Sequence, residues 1–217
     1  MLETHLPHFN IKNKNLLPVV QGGMGVGISA HRLAGSVAGL GAVGTIASID
    51  LRHHHPDLIE QSRHCRDKPT LDQLNLIALD REIRAALEAS AGEGLVAVNV
   101  MKAVAEHPAL VRQACASGAQ AIVMGAGLPL DLPDLTEGYP EVALIPILSD
   151  ARGIQILLKK WLRKNRLPDA IVIEHPRYAG GHLGAPKPEE INDPRFDFPG
   201  ILESVFQLFR ELDIERE

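Results

Sequence analysis

Leu17-Pro-Val-Val-Gln-Gly-Gly-Met-Gly25 is an apolar run of strand length that breaks abruptly into glycine. Its reading separates two architectures. A dinucleotide-binding open sheet would carry G-x-G-x-x-G straight after this first strand, with an acidic residue about 20 positions further on. Gly23-Met-Gly-Val-Gly27 lacks that spacing. Outward from this stretch the same unit recurs, as Ala42-Val-Gly-Thr-Ile-Ala-Ser48, Leu95-Val-Ala-Val-Asn-Val-Met101, Ala121-Ile-Val-Met-Gly125, Val142-Ala-Leu-Ile-Pro-Ile-Leu148 and Ala170-Ile-Val-Ile-Glu174. Runs that are apolar throughout and alternate with helical stretches indicate a parallel sheet covered by helices on both faces. The expected fold class is α/β, a parallel (β/α) barrel of the TIM type with about six of its eight strands present.

The helical stretches have identifiable ends. Ser29 is the expected N-cap of a helix over 29–38, and Gly92 and Gly94 stop a helix over about 76–91 that places Leu79, Ile83, Ala86 and Leu87 on one face. Further helices are expected over about 108–117, 153–164 and 199–212. Pro146 is a misfit in the fifth strand, since proline forfeits a ladder hydrogen bond. A long polar segment, 49–75, separates the second strand from its helix and is expected to cap the site or mediate association.

With 217 residues and 45% hydrophobic content the chain can bury a core, and one domain over 1–217 is expected. A net charge of -5 and a pI near 6.1 give no electrostatic reason to expect nucleic acid or an anionic membrane as partner. No stretch reaches the roughly 18 apolar residues of a membrane span, and the N-terminus lacks the pattern of a signal peptide. Cys65 and Cys115 form no disulfide framework, so a reducing, cytoplasmic setting is expected.

In parallel barrels, chemistry sits at the C-terminal ends of the strands. Those ends carry Gln21 with Gly22, Gly23 and Met24, then Asn99, then Gly125-Ala-Gly127, then Ser149, and finally Glu174 followed by Ala179-Gly-Gly-His-Leu-Gly184. Small residues let a flat ligand lie against backbone, and Gln21, Asn99 and Ser149 can hydrogen-bond it. Taken singly, each glycine can equally be a turn residue. No carboxylate cluster competes for a metal, and none is expected. His182 is the candidate general base, because its glycine context exposes an imidazole suited to proton transfer near neutrality; the plainer reading is a loop histidine bonded to backbone. His53-His54-His55 lacks partners at ligand spacing and reads as a solvated loop. Cys115 reads as a core residue, and Cys65 has no activating partner.

Pro18-Val-Val-Gln-Gly-Gly-Met-Gly25, Gly39-Leu-Gly-Ala-Val-Gly44, Val98-Asn-Val100 and Ala179-Gly-Gly-His-Leu-Gly184 together resemble the nitronate monooxygenase family, formerly the 2-nitropropane dioxygenases. The resemblance runs from about Leu16 to Leu212. It implies an FMN-dependent oxidoreductase on a TIM barrel. Gly22, Gly23 and Met24 would border the flavin ring, Asn99 would meet its polar edge, and Ser149, Gln21, Gly180 and Gly181 would complete the cofactor site. His182 matches the family's histidine, which abstracts a proton or assists substrate oxidation. The implied reaction takes an alkyl nitronate and dioxygen to a carbonyl compound and nitrite. An FMN-dependent enoyl-thioester reductase using NAD(P)H shares these motifs, and a non-catalytic barrel remnant is a third reading. Because the family continues through two further strands that bind the FMN phosphate, the chain alone is expected to hold flavin weakly, with a homo-oligomer or a complementing C-terminal fragment as candidate partner.

Overall fold

In a computed structural model the described residues are 4–180, 184–185 and 187–214. The chain opens with an antiparallel hairpin of β1 (Phe9–Ile11) and β2 (Lys14–Leu16). Ile11 and Leu16 pack with Val43, Leu95, Ala97, Ala121 and Ala143, residues near the starts of the parallel strands, so the hairpin plugs the N-terminal end of the sheet's inner face. Strands of three residues around a polar turn leave no readable period, which is why the sequence pattern does not announce them.

The remaining elements are β3 (Val20–Gln21), α1 (His31–Gly39), β4 (Val43–Ala47), α2 (Pro56–Ser62), α3 (Lys68–Ser90), β5 (Leu95–Met101), α4 (His107–Ala116), β6 (Ala121–Gly125), α5 (Leu132–Leu135), β7 (Ala143–Leu148), α6 (Ala151–Leu162), β8 (Val172–Ile173) and α7 (Phe198–Glu211). Six strands form one parallel sheet in the order β3-β4-β5-β6-β7-β8. Sequential order means that every crossover advances one strand in the same direction, which is the winding of a barrel. A doubly wound sheet instead reverses its order at a switch point. The sheet is therefore a curled part of a TIM barrel, as expected. It continues through Pro146, which pairs with Met124 in the β6–β7 register.

Alternation along the strands sorts inside from outside. On β5, Leu95 and Ala97 belong to the inner cluster, whereas Val96, Val98 and Val100 join the core under the helices. Asn99 and Met101 thus share the inner face. Small residues bring α1 onto the sheet: Ala34, Gly35 and Ala38 are buried, and a β-carbon on Gly35 would lie 2.8 Å from Ala89 Cβ of α3. Helix α6 is capped by Asp150, whose carboxylate accepts from the Gly153 N–H at 2.6 Å, and it buries Ile154, Leu157, Leu158 and Trp161. Among the described residues no helix is long and apolar enough to cross a membrane.

Two expectations are corrected. Ser29 does not cap α1, which starts at His31 behind Ala30 and has no side-chain cap from that residue. Instead Ser29 is fully buried and closes the glycine loop on itself, its N–H donating to the Met24 carbonyl at 3.0 Å while its hydroxyl accepts from the Met24 N–H at 2.7 Å. The polar segment 49–75 also contains the start of the helix expected over about 76–91, which begins at Lys68. It holds a 3-10 turn, Leu51–His54, then α2, then the first turns of α3, which Asp67 caps through the Thr70 N–H. Its polarity comes from short helices lying on the surface with single buried anchors, Leu51 and Leu58, rather than a full apolar stripe.

In the histidine run, His53 and His54 are exposed at the end of the 3-10 turn, and His55 turns inward. His55 Nε2 lies 3.1 Å from the carboxylate of Glu82, which is only 2% exposed. The same carboxylate accepts from the His31 N–H at 2.7 Å and lies 2.7 Å from His31 Nδ1. Glu82 thus serves the uncapped N-terminus of α1 from a neighbouring helix and ties α1, α3 and the His53-His54-His55 turn together. No group of three or more metal-ligating side chains is assembled among the described residues.

Candidate functional site

The C-terminal strand ends gather most of the residues singled out by the sequence. Gly23 lies against Asn99: a β-carbon placed on Gly23 would sit 2.5 Å from Asn99 Cβ and 3.0 Å from Asn99 Cγ. Asn99 itself is held by backbone, its carbonyl accepting from the Ser48 N–H at 3.1 Å. Its carboxamide makes no hydrogen bond within the described residues and is available to a ligand. A β-carbon on Gly22 would meet nothing within 4 Å, and Met24 is 41% exposed, so this part of the loop offers bare backbone and one thioether to the solvent side.

Gln21 is differently employed. Its Oε1 accepts from the Thr45 N–H at 3.0 Å and its Nε2 donates to the Thr45 carbonyl at 3.1 Å, so the side chain carries the β3–β4 ladder one step past the strand. Nε2 also donates to the Gly22 carbonyl, which leaves a single lone pair on Oε1 for a ligand. Thr45 Oγ1 is buried without a partner among the described residues.

On the far side of the sheet, Ser149 meets the end of the glycine-histidine motif, with a β-carbon on Gly184 falling 2.0 Å from Ser149 Oγ. Ser149, Gly184, Ala126, Gly127, Ile147 and Glu174 line a cavity of about 580 Å³. Gly180 is exposed, with open space around it. Gly181 and His182 lie outside the described residues. Both cysteines fall away from this chemistry: burial pushes the Cys115 thiol up to about 11, and the Cys65 thiol only donates to the Asp67 carbonyl at 3.6 Å.

Three polar residues near the site were not singled out by the sequence. Lys102, His107 and Asp131 meet beyond the ends of β5 and β6, with Lys102 Nζ 2.6 Å from Asp131 Oδ2 and 2.8 Å from His107 Nε2. Lys102 and His107 stand five residues apart between the end of β5 and the start of α4, and Asp131 directly precedes α5. The one local signal was a lysine directly after the third apolar run.

Alanine at position 23 is expected to push Asn99 aside, because the contact is with its Cβ and not with a flexible tip. An overpacked site of this kind costs about 1–3 kcal/mol. A thermal melt, with FMN titration of the same variant, checks it: both the melting temperature and the flavin affinity should fall.

The fold and the site define a partial (β/α) barrel in which the ends of β6, β7 and β8 wall a ligand-sized cavity, with Gly22, Gly23, Met24 and Asn99 outside its lining. More particularly, the family model for nitronate monooxygenase matches residues 10–201, and the chain belongs to that family. Among solved structures it is similar to FabK from Thermotoga maritima, with 19% identity over 77% of this chain and 43% of that one and a TM-score of 0.49. It is similar also to nitroalkane oxidase from Streptomyces ansochromogenes, with 16% identity over 80% of this chain and 69% of that one and a TM-score of 0.33. A HpcH/Hpal aldolase/citrate lyase family protein from Burkholderia cenocepacia gives 18% identity over 87% and 75% and a TM-score of 0.46. The chain thus spans less than half the length of the first of these, and likeness at this level is not evidence of shared chemistry. No curated protein matches the sequence.

Proposed function

We propose that this chain belongs to an FMN-dependent enzyme that oxidises alkyl nitronates with dioxygen to a carbonyl compound and nitrite. The observation that carries the reading is the packing of Gly23 on Asn99 at the C-terminal strand ends, inside a family match that covers 10–201. The residues present suit a flat, polar-edged ring. Gly22 leaves open space, Gly23 and Met24 present backbone and thioether, and the unspent Asn99 carboxamide can bond a ring edge. FMN, when bound, supplies the acceptor for the substrate's electrons and their return to dioxygen.

The protein's own part is positioning and proton handling. Asn99 orients, Gln21 stiffens the first strand end, and Ser149 with Gly180 and Gly181 would border the ligand on the opposite side. His182, by the family resemblance, would hold or take a proton beside the substrate. The test is oxygen uptake by the purified protein with FMN and an alkyl nitronate, with nitrite measured as product. Turnover supports the reading. Consumption of NAD(P)H with a crotonyl-type thioester and none with nitronate would replace it with the enoyl-thioester reductase, and inertness toward both would leave a non-catalytic barrel piece.

A further inference from the structure

The cluster of Lys102, His107 and Asp131 lies beyond the ends of β5 and β6, outside the residues assigned above to ligand. Lys102 reaches both ends of the segment 125–131. Its N–H donates to the Gly125 carbonyl at 2.7 Å, and its ammonium donates to Asp131 Oδ2 at 2.6 Å. His107 adds a third hold, with Nδ1 donating to the Val104 carbonyl at 2.9 Å and Nε2 within 2.8 Å of Lys102 Nζ and 3.2 Å of Asp131 Oδ2.

Between the two ends the backbone is unusual. Ala126 has φ 58 and Gly127 has φ 127, and the first of these is unfavourable for a residue with a β-carbon unless its surroundings fix it. The aliphatic stem of Lys102 is part of those surroundings, since a β-carbon on Gly127 would lie 3.2 Å from Lys102 Cγ. Ala126, Gly127, Leu128 and Ala103 in turn wall the cavity of about 580 Å³. Burial alone would raise the Asp131 carboxyl, but the hydrogen bond and charge of Lys102, with His107 alongside, outweigh that and hold it below the ordinary carboxylate value. A carboxylate lowered in this way keeps its stabilising effect above the ordinary range and loses it only as pH falls through the lowered value, so the contact is intact at neutral pH.

We propose that Lys102 is a positioning residue: from just past the end of β5 it brackets 125–131 and so fixes the wall of the ligand cavity. Its consequence for turnover rests on the nitronate reading above, whereas its effect on the segment does not. The chain carries one tryptophan, Trp161, fully buried, whose indole N–H donates to the Pro129 carbonyl of this same segment at 3.2 Å. Its fluorescence reports on the bracket without flavin.

The test is Lys102→Met, which keeps the stem and removes the ammonium, with Lys102→Arg beside it. Acrylamide quenching of Trp161 in Lys102→Met should rise about twofold or more with the circular dichroism unchanged, and KM for nitronate should rise about tenfold while kcat stays within about twofold. Arginine, which can still reach Asp131, should restore both readings. Wild-type quenching in Lys102→Met overturns the proposal, as does a fall in kcat at unchanged KM. If Lys102→Met does not fold, Asp131→Asn releases the same bracket at constant size and must give the same rise in quenching. If the wild-type protein oxidises no nitronate, the functional reading fails by itself, and the quenching of Trp161 still decides the bracket.

Discussion

Gly44→Ala is expected to lower the stability of the protein by about 3 kcal/mol or more, the upper part of the range for overpacked cores. A β-carbon there would lie 1.9 Å from the Ala34 carbonyl oxygen and 2.6 Å from its carbon. Both are backbone atoms of α1. No rotamer change can relieve the clash, so the helix itself must move off β4. It is hemmed in on its other side, where Gly35 packs on Ala89 of α3. A β-carbon on Gly94, just before β5, would meet the Ala38 carbonyl oxygen at 2.3 Å, so the whole corner is built at backbone contact. In a chain of this size such a loss lowers the melting temperature on the order of 10 °C, which a calorimetric melt measures. An unchanged melt would mean that α1 does not sit against β4 as described. Gly44 is also one of the family motif's glycines, and its role here is close packing of a helix on a strand rather than contact with a ligand.

The second large effect concerns turnover. His182→Ala is expected to lower the rate of nitronate oxidation by about 10²–10⁴-fold, the usual contribution of a positioned acid or base, with flavin affinity and melting temperature close to wild type. The pattern matters as much as the size. A loss of flavin together with the loss of rate would make His182 part of the cofactor site, and full activity would remove it from the mechanism. A His182→Gln variant, which keeps hydrogen bonding but not proton transfer, separates the two roles.

The sheet was legible in the sequence because its strands are apolar runs separated by helical stretches, and because the missing G-x-G-x-x-G spacing argued against the open alternative. The strand order in the structure agrees. What escaped was carried by contacts between distant segments. Nothing local tells that Glu82, on a helix with ordinary amphipathic spacing, serves the N-terminus of α1 and meets His55, the last of the histidine run. Ser29 had the right chemistry for a cap, yet the glycine loop before it competes for the same hydroxyl and wins. Of the candidate site, Gly23 and Asn99 were each placed at a strand end by the sequence, but β4 lies between their strands, so their contact was not foreshadowed. Nor was the bonding of Gln21 back to Thr45, because a glutamine at a strand end can face ligand or ladder and only the register decides. Lys102, His107 and Asp131 lay hidden for the same reason, each unremarkable where it stands in the sequence.

The measurement that bears most directly on the central claim is an equilibrium titration of FMN by fluorescence quenching, run in parallel on the wild-type protein and Gly23→Ala. Equilibrium conditions matter, since weakly held flavin would be lost on desalting. The account predicts saturable binding at one site in the wild type and an affinity about fivefold or more weaker in the variant, which follows if the roughly 1–3 kcal/mol cost of displacing Asn99 falls on the bound state. Absence of saturable binding in the wild type, or equal affinity in the two proteins, would contradict it.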